Sequence, residues 1–386
     1  MASTQEIDVL LEKLSKVASQ SAEAHSQVLD RLQSLQLQLE APEDFNLRYV
    51  NLQLQRIGAQ LGQDLKVFQT LAESERPLTV DEMSSKSSAE PPLLRRILRY
   101  LASVGQIRET SLDTYAASNA TKTLAQPKYR GFVYHYFHTV GNILQAFPDA
   151  LAEAKYRNVE QVAETAFKKA FSTDVGGFEW LRAQPRHWEA LQQAMSVAPQ
   201  ARVPWYSVFP FEAELGAAPA DVPALVDIGG GFGHQCAALA AAFPALRGRL
   251  VLQDMPQTLA IAPPLDGVRA MEHDFFKSQP VRGARFYYLR NVLHDWPHDK
   301  AVAILSRVRK ALEPDSQVLI DEIVVPNSGA HWHATCMDLL MMTAVGAQER
   351  TVNEWHALLD DAGLRIVKIH NYLPRHEDSI IQAVAK

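Results

Sequence analysis

Two groups of residues have the types and spacing to do chemistry. The first is Asp227-Ile-Gly229-Gly230-Gly231-Phe-Gly233-His234, at the carboxyl end of the short strand expected over Leu225 to Ile228 and ahead of a helical stretch, Gln235 to Phe243. Its glycines let the backbone turn tightly and approach a ligand with no Cβ in the way. A Gly-rich loop by itself is only a structural turn, but Asp254 lies 27 residues beyond Asp227, at the end of the next expected strand. A carboxylate there can accept both ribose hydroxyl protons, so loop and aspartate together point to an adenosine-containing ligand. The Gly229, Gly231, Gly233 spacing is G-x-G-x-G, and no Gly-Lys-Ser/Thr follows. That excludes a P-loop and disfavours a dinucleotide pyrophosphate, so S-adenosylmethionine fits better. In His273-Asp274-Phe275-Phe276, Asp274 could receive the adenine amino group, with Phe275 against the ring. The second group centres on His294 in Leu293-His-Asp-Trp-Pro297. Imidazole titrates in the range that suits a general base; the same His could instead simply open a helix.

The elements that must position these residues are legible as alternating strands and helices. Leu225 to Ile228, Arg249 to Gln253, Phe286 to Leu289, Gln317 to Ile320 and Leu364 to Ile369 read as strands; Gln235 to Phe243, Asp299 to Leu312 and Val352 to Ala362 read as helices. The alternation signals an α/β, doubly wound, Rossmann-like and mainly parallel sheet over residues 211–386. Pro204, Pro210, Pro219 and Pro223 mark its entry.

Upstream, residues 1–45 carry apolar positions from Ile7 to Leu39 at helical spacing, one or two amphipathic helices suited to packing on the chain or on a second subunit. Residues 46–210 open with short helical patterns, Ile57 to Leu71 and Pro92 to Val104, and a hairpin at Ile107 to Ser118, the order of a winged helix. Residues 130–200 read as helical, with Phe132, Tyr134, Tyr136, Phe137, Phe167, Phe171, Phe178, Trp180 and Trp188 filling a core or lining a pocket.

Composition narrows the function. The 386 residues carry 38 Lys and Arg against 44 Asp and Glu, a net charge of −6. That balance opposes a nucleic-acid binder, including a regulator acting through the winged helix; Arg95, Arg96 and Arg99 are only a local basic cluster. Two cysteines, Cys236 and Cys336, argue against a disulfide framework or a Cys-based zinc site. His331 and His333, two apart with no third ligand at defined spacing, do not make a metal pair, and no metal is expected. Apolar stretches such as 339–345 are too short to span a membrane, and residues 1–20 lack a signal-peptide core, so a cytoplasmic location is expected.

Six ordered motifs then converge: Val226 to His234, Gln253-Asp-Met-Pro256, His273 to Phe276, Tyr288-Leu-Arg-Asn-Val-Leu-His-Asp-Trp-Pro297, Asp321-Glu322 and Gln348-Glu-Arg-Thr351. They resemble the S-adenosylmethionine-dependent O-methyltransferases of secondary metabolism, the dimeric plant caffeate and flavonoid type and their fungal relatives. Thr165-Ala-Phe167, Ser172-Thr-Asp174 and Phe178-Glu-Trp180 look like the fungal branch.

The resemblance implies a homodimer with a winged-helix-like dimerisation region and a small aromatic or polyketide acceptor, with no nucleic acid or membrane partner. It implies a cofactor site of Asp227, Gly229, Gly231, Gly233, Asp254, Met255, Asp274, Phe275 and Arg290, the last where the plant enzymes have a lysine. His294 becomes the catalytic base, bracketed by Glu322 and Glu349, and Trp180, Met337 and Met341 are substrate-lining candidates. Asp295 and Asp321 are assigned structural roles, projecting away from the base. Ala347-Gln348 departs from the Gly-Lys usual in the family. Some fungal members of this fold are pericyclases that bind S-adenosylmethionine for its charge and replace the base with Arg or Lys; His135 resembles a histidine they use to hold substrate. Retention of His294 and Glu322 favours methyl transfer, with pericyclic catalysis as the alternative.

Overall fold

The computed structural model describes residues 4–159, 165–197, 204–216 and 221–386. Pro219 and the helical expectation over 160–164 and 198–200 lie outside the described residues. The chain forms two compact units, one of Met1–Phe137 with Ala190–Ser196, the other of His138–Glu189 with Val197–Lys386. Residues 138–159 and 165–189 thus belong to the same unit as the C-terminal sheet.

In the first unit the N-terminal periodicity resolves into helices Thr4–Ala18 and Ala22–Leu39, the second N-capped by Ser21, whose hydroxyl accepts from the Ala24 N–H at 3.0 Å. Most of their apolar residues, among them Leu10, Leu11, Leu35 and Leu39, are exposed. After helix Pro42–Asp64, the winged-helix part packs Phe68, Leu71, Leu94, Leu98, Leu101 and Tyr115 into one core. A small antiparallel sheet joins β1 (Leu78–Thr79), which comes before helix Pro91–Ser103, to the hairpin after it, β2 (Arg108–Ser111) and β3 (Thr114–Ala116), with β3 central.

The second unit is built on a sheet of β4 (Leu225–Ile228), β5 (Leu250–Asp254), β6 (Val268–Glu272), β7 (Phe286–Arg290), β8 (Gln317–Val325), β10 (Leu364–Leu373) and β11 (Asp378–Ala385), with the two-residue β9 (Arg350–Thr351) beside β8. Its order is β10-β11-β8-β7-β4-β5-β6. The strands from β8 to β6 run parallel; β11 and β10 are antiparallel additions. The order reverses between β4 and β7, which is where an open α/β sheet leaves a crevice at the carboxyl ends of its strands.

Val226, Ile228, Leu289 and Ile320 pack on one layer with Ile304, Leu305 and Leu358; Leu225, Leu250, Phe286 and Tyr288 pack on another with Trp205, Phe209 and Leu239. Such two-sided burial explains why these strands read as continuous apolar runs. Helix Val352–Asp361 begins at a capping box in which Glu354 Oε2 accepts from the Thr351 N–H at 2.7 Å. Among the described residues no helix is long and apolar enough to cross a membrane.

Candidate functional site

The glycine loop leaves β4 at the reversal of strand order. Gly229, Gly231 and Gly233 all have positive φ, at 71°, 60° and 74°. At Gly231 a Cβ would meet no protein atom within 4 Å, so the loop presents bare backbone to open space, a cradle that a side chain would fill. At Gly230 a Cβ would fall 2.5 Å from the Asp227 carboxylate, so this position too demands glycine.

Asp254, at the end of β5, braces the loop. Its Oδ2 accepts from the Gly231 N–H at 2.8 Å and its Oδ1 from the Met255 N–H at 2.7 Å. Each oxygen keeps a further lone pair for a diol. Asp274 Oδ1 accepts from the Phe276 N–H at 3.0 Å, while the half-buried Phe275 ring lies edge-on to Trp296, with centroids 5.8 Å apart, and comes within 3.7 Å of a Cβ built on Gly229. Asp227 is buried, and burial pushes its carboxyl up to about 7. The Cys236 thiol donates to Oδ2 at 3.6 Å, whereas Oδ1 has no hydrogen-bond partner. The glycine cradle and a carboxylate held open for a diol fit S-adenosylmethionine.

Arg290 ends β7 with its guanidinium on Asp321 rather than free: Nη1 donates to Asp321 Oδ2 at 2.8 Å. Tyr372 donates to Asp321 Oδ1 at 2.7 Å, and Tyr288 donates to Oδ2. Three donors therefore satisfy one buried carboxylate, and although burial opposes the charge on Arg290, Asp321 holds it cationic.

The loop after β7 carries His294 on a 3-10 turn, Leu293–Asp295. His294 Nδ1 is hydrogen-bonded to Glu349 Oε1 at 2.8 Å and lies 3.7 Å from Glu322 Oε2. The two glutamates arrive on neighbouring strands, Glu322 on β8 and Glu349 just ahead of β9, which pairs with β8 through Val324 and Arg350. Glu322 Oε1 also accepts from the N–H groups of Val292 and Leu293, both at 2.9 Å, so one carboxylate holds the turn and faces the ring it carries. The Glu349 N–H donates to Asp338 Oδ1 at 3.0 Å, tying the triad to helix Trp332–Val345.

Burial opposes the charge on His294, but Glu349, Glu322 and Asp295 outweigh it and raise its pKa well above that of free imidazole. Burial in turn lifts Glu322 to about 7, against the attraction of His294. The Nδ1 or Nε2 atom of His294 and the carboxylate oxygens of Glu322 and Glu349 that face it lie within 4.8 Å of one another.

Asp295 departs from expectation. It projects toward the base, with Oδ1 3.7 Å from His294 Nε2, because the tight turn brings adjacent side chains together. Sequence reading also left Arg350 without a role, although it is fully buried and donates to the carbonyls of Leu293 and Trp296.

Of the substrate-lining candidates, Met337 and Met341 lie on helix Trp332–Val345, which packs on β8 and on the His294 turn. Trp180 sits in an aromatic group with Phe171 and His187, at centroid distances of 4.3 and 5.2 Å. His135 belongs to the first unit, where its ring is edge-on to Tyr136.

Comparison with known proteins agrees with this architecture. The O-methyltransferase domain family matches residues 157–365, and the O-methyltransferase dimerisation domain matches residues 61–127. Demethylsterigmatocystin 6-O-methyltransferase of Aspergillus flavus is 43% identical over 361 residues, 93% of each chain. The O-methyltransferase lepI of the same species is 37% identical over 95% of each chain. A solved structure of LepI in complex with SAM superimposes with a TM-score of 0.94 at 34% identity, covering 99% of both chains. A loop and aspartate with the geometry to fit S-adenosylmethionine, a His–Glu–Glu cluster and these whole-length similarities lead to one conclusion: the chain belongs to the S-adenosylmethionine-dependent O-methyltransferases of fungal secondary metabolism.

Proposed function

We propose that the chain methylates a hydroxyl of an aromatic or polyketide acceptor, with His294 as general base. The observation that carries this reading is the 2.8 Å contact between His294 Nδ1 and Glu349. It commits Nδ1 as a donor and leaves Nε2 to take the proton from the acceptor oxygen. Bound S-adenosylmethionine supplies an activated methyl electrophile. What a phenol lacks near neutral pH is an ionised oxygen, and proton removal by a positioned base contributes on the order of 10²–10⁴-fold. Glu322 and Glu349 set the tautomer and stabilise the imidazolium that forms.

In this reading Asp254 receives the ribose diol, Asp274 and Phe275 meet the adenine, and Asp227 with Gly229, Gly231 and Gly233 surrounds the methionine portion. Met255 and Arg290 complete the cofactor site, Arg290 anchored by Asp321. His135, Trp180, Met337 and Met341 are assigned to the acceptor. The winged-helix part and the helices preceding it form the homodimer contact, which sedimentation tests directly, and the enzyme works in the cytoplasm.

A second reading is supported by the TM-score of 0.94 to the structure titled "A Pericyclic Reaction enzyme". The fold would then rearrange a polyketide without consuming the cofactor. Mass spectrometry of a phenolic and pyridone panel with methyl-labelled cofactor separates the two: products heavier by one labelled methyl support methyl transfer, and products isomeric with the substrate overturn it.

A further inference from the structure

The turn that carries His294 is gripped from both sides by buried charged groups. On one side Glu322 takes the N–H groups of Val292 and Leu293. On the other, Arg350 Nη1 donates to the Leu293 carbonyl at 2.8 Å and Nη2 to the Trp296 carbonyl at 2.7 Å. Arg350 is completely buried, its guanidinium carbon sits 5.5 Å from the Trp355 ring centroid, and its Nε has no hydrogen-bond partner. Among the described residues no carboxylate is hydrogen-bonded to it. An arginine whose hydrogen bonds go to two backbone carbonyls in this setting is costly, since the attraction of the nearby glutamates does not make up for its desolvation. A purely apolar residue would fill the space more cheaply.

Glu349 and Arg350 are consecutive residues where the chain enters β9, and their side chains serve different parts of the His294 turn. Glu349 reaches the imidazole and Arg350 reaches the backbone on either side of it.

Building on the general-base reading above, we propose that Arg350 is a positioning residue for proton transfer. Its two-pronged grip fixes the His294 turn so that Nδ1 meets Glu349, and its fixed positive charge offsets the glutamates that face the ring. The groups packed around His294 are Glu322 from β8, Glu349 beside β9 and Asp295 on the turn itself; Glu349 in turn acts on His333 and Asp338 of helix Trp332–Val345 and on Asp378 of β11. The glutamates reciprocally favour the charged form of Arg350, although burial outweighs them and lowers its pKa. Without Arg350, carboxylates dominate the surroundings of the imidazole, which then holds its proton more tightly. A base that stays protonated cannot accept the acceptor's proton.

The test compares Arg350→Met, which removes charge and grip, with Arg350→Lys, which keeps the charge but cannot present the planar fork. In protein with ¹⁵N-labelled histidine and no ligand, the His294 ring in Arg350→Met should titrate at higher pH than in the parent, by about one unit. The low-pH limb of kcat/KM should move the same way, with kcat down about 10- to 100-fold. Arg350→Lys should keep the limb near its original place while kcat still falls. If Arg350→Met does not fold, Arg350→Gln is read in the same way.

An unmoved ring titration in the charge-removing variant, or full kcat in Arg350→Lys, overturns the proposal. His294→Ala separates this from failure of the base itself: if His294→Ala keeps full activity, the general-base reading falls and the Arg350 proposal with it. If His294→Ala is inactive while the Arg350 variants titrate like the parent, the Arg350 proposal alone falls.

Discussion

Replacing Glu349 by Gln would expose what holds the proton on His294. The carboxylate and amide are nearly isosteric, so the buried pocket is kept while one charge is lost from Oε1, 2.8 Å from Nδ1. A hydrogen bond to a charged group contributes about 1.5–3 kcal/mol, and a pKa unit corresponds to 1.36 kcal/mol. The imidazole pKa should therefore fall by about one to two units. His294 starts well above the ordinary imidazole range because the three carboxylates outweigh its burial. Only neutral His294 can act as base, so the parent's kcat/KM rises as pH rises through that elevated pKa. In Glu349→Gln the low-pH limb should shift to lower pH, while the plateau drops about 10- to 100-fold because a weaker, less firmly oriented base remains. The assay is transfer of labelled methyl to one phenolic acceptor across the neutral and alkaline range. The acceptor's own ionisation cancels in the ratio of variant to parent. The expected direction is opposite to that for Arg350→Met, so the pair of variants brackets the parent. A limb that stays in place, or moves to higher pH, refutes the view that Glu349 holds the proton on the ring.

His294→Ala should lower kcat by about 10²–10⁴-fold while calorimetry still detects cofactor binding; an unchanged kcat removes the base assignment. Gly231→Val should abolish cofactor binding in a protein that still melts cooperatively, because the added side chain enters the open cradle at φ 60°; calorimetric binding at parental affinity would contradict the placement. Asp227→Asn should raise the melting temperature of the unliganded protein more at alkaline than at acidic pH. Burial lifts the folded carboxyl to about 7, so the native state binds more protons than the unfolded chain and loses stability as pH rises through that range. Equal changes at both pH values would show that Asp227 is not ionised at this cost.

Much of the fold was legible because buried parallel strands must be short apolar runs. Leu225–Ile228 is such a run broken only by Asp227, and Phe286–Arg290 extends one by a single charged residue at the site. The reading failed where context overrides pattern. β6, with Val268-Arg-Ala-Met-Glu272, is an edge strand with little burial and so carries no continuous apolar signal. Helix Trp332–Val345 is apolar around most of its circumference, which erases the helical period. β8 continues to Val325 and is buried throughout, whereas Asp321 and Glu322 look like a strand end in the sequence. Asp321 can lie inside because Tyr288, Tyr372 and Arg290 satisfy it, whereas for Glu322 two backbone N–H groups satisfy Oε1 and Oε2 faces His294.

From the sequence alone came the identity of the parts: a glycine loop with its following aspartate, a histidine, and two glutamates far from it along the chain. Their types and local spacing are chemical facts that survive without coordinates. Only tertiary structure decided which groups share a proton, since the distance from Nδ1 to Glu349, the inward turn of Asp295 and the hold of Arg350 on two carbonyls all depend on how β7, β8 and β9 are laid side by side. Electrostatics falls off with distance in space and with exposure to water, and neither is written in the order of residues.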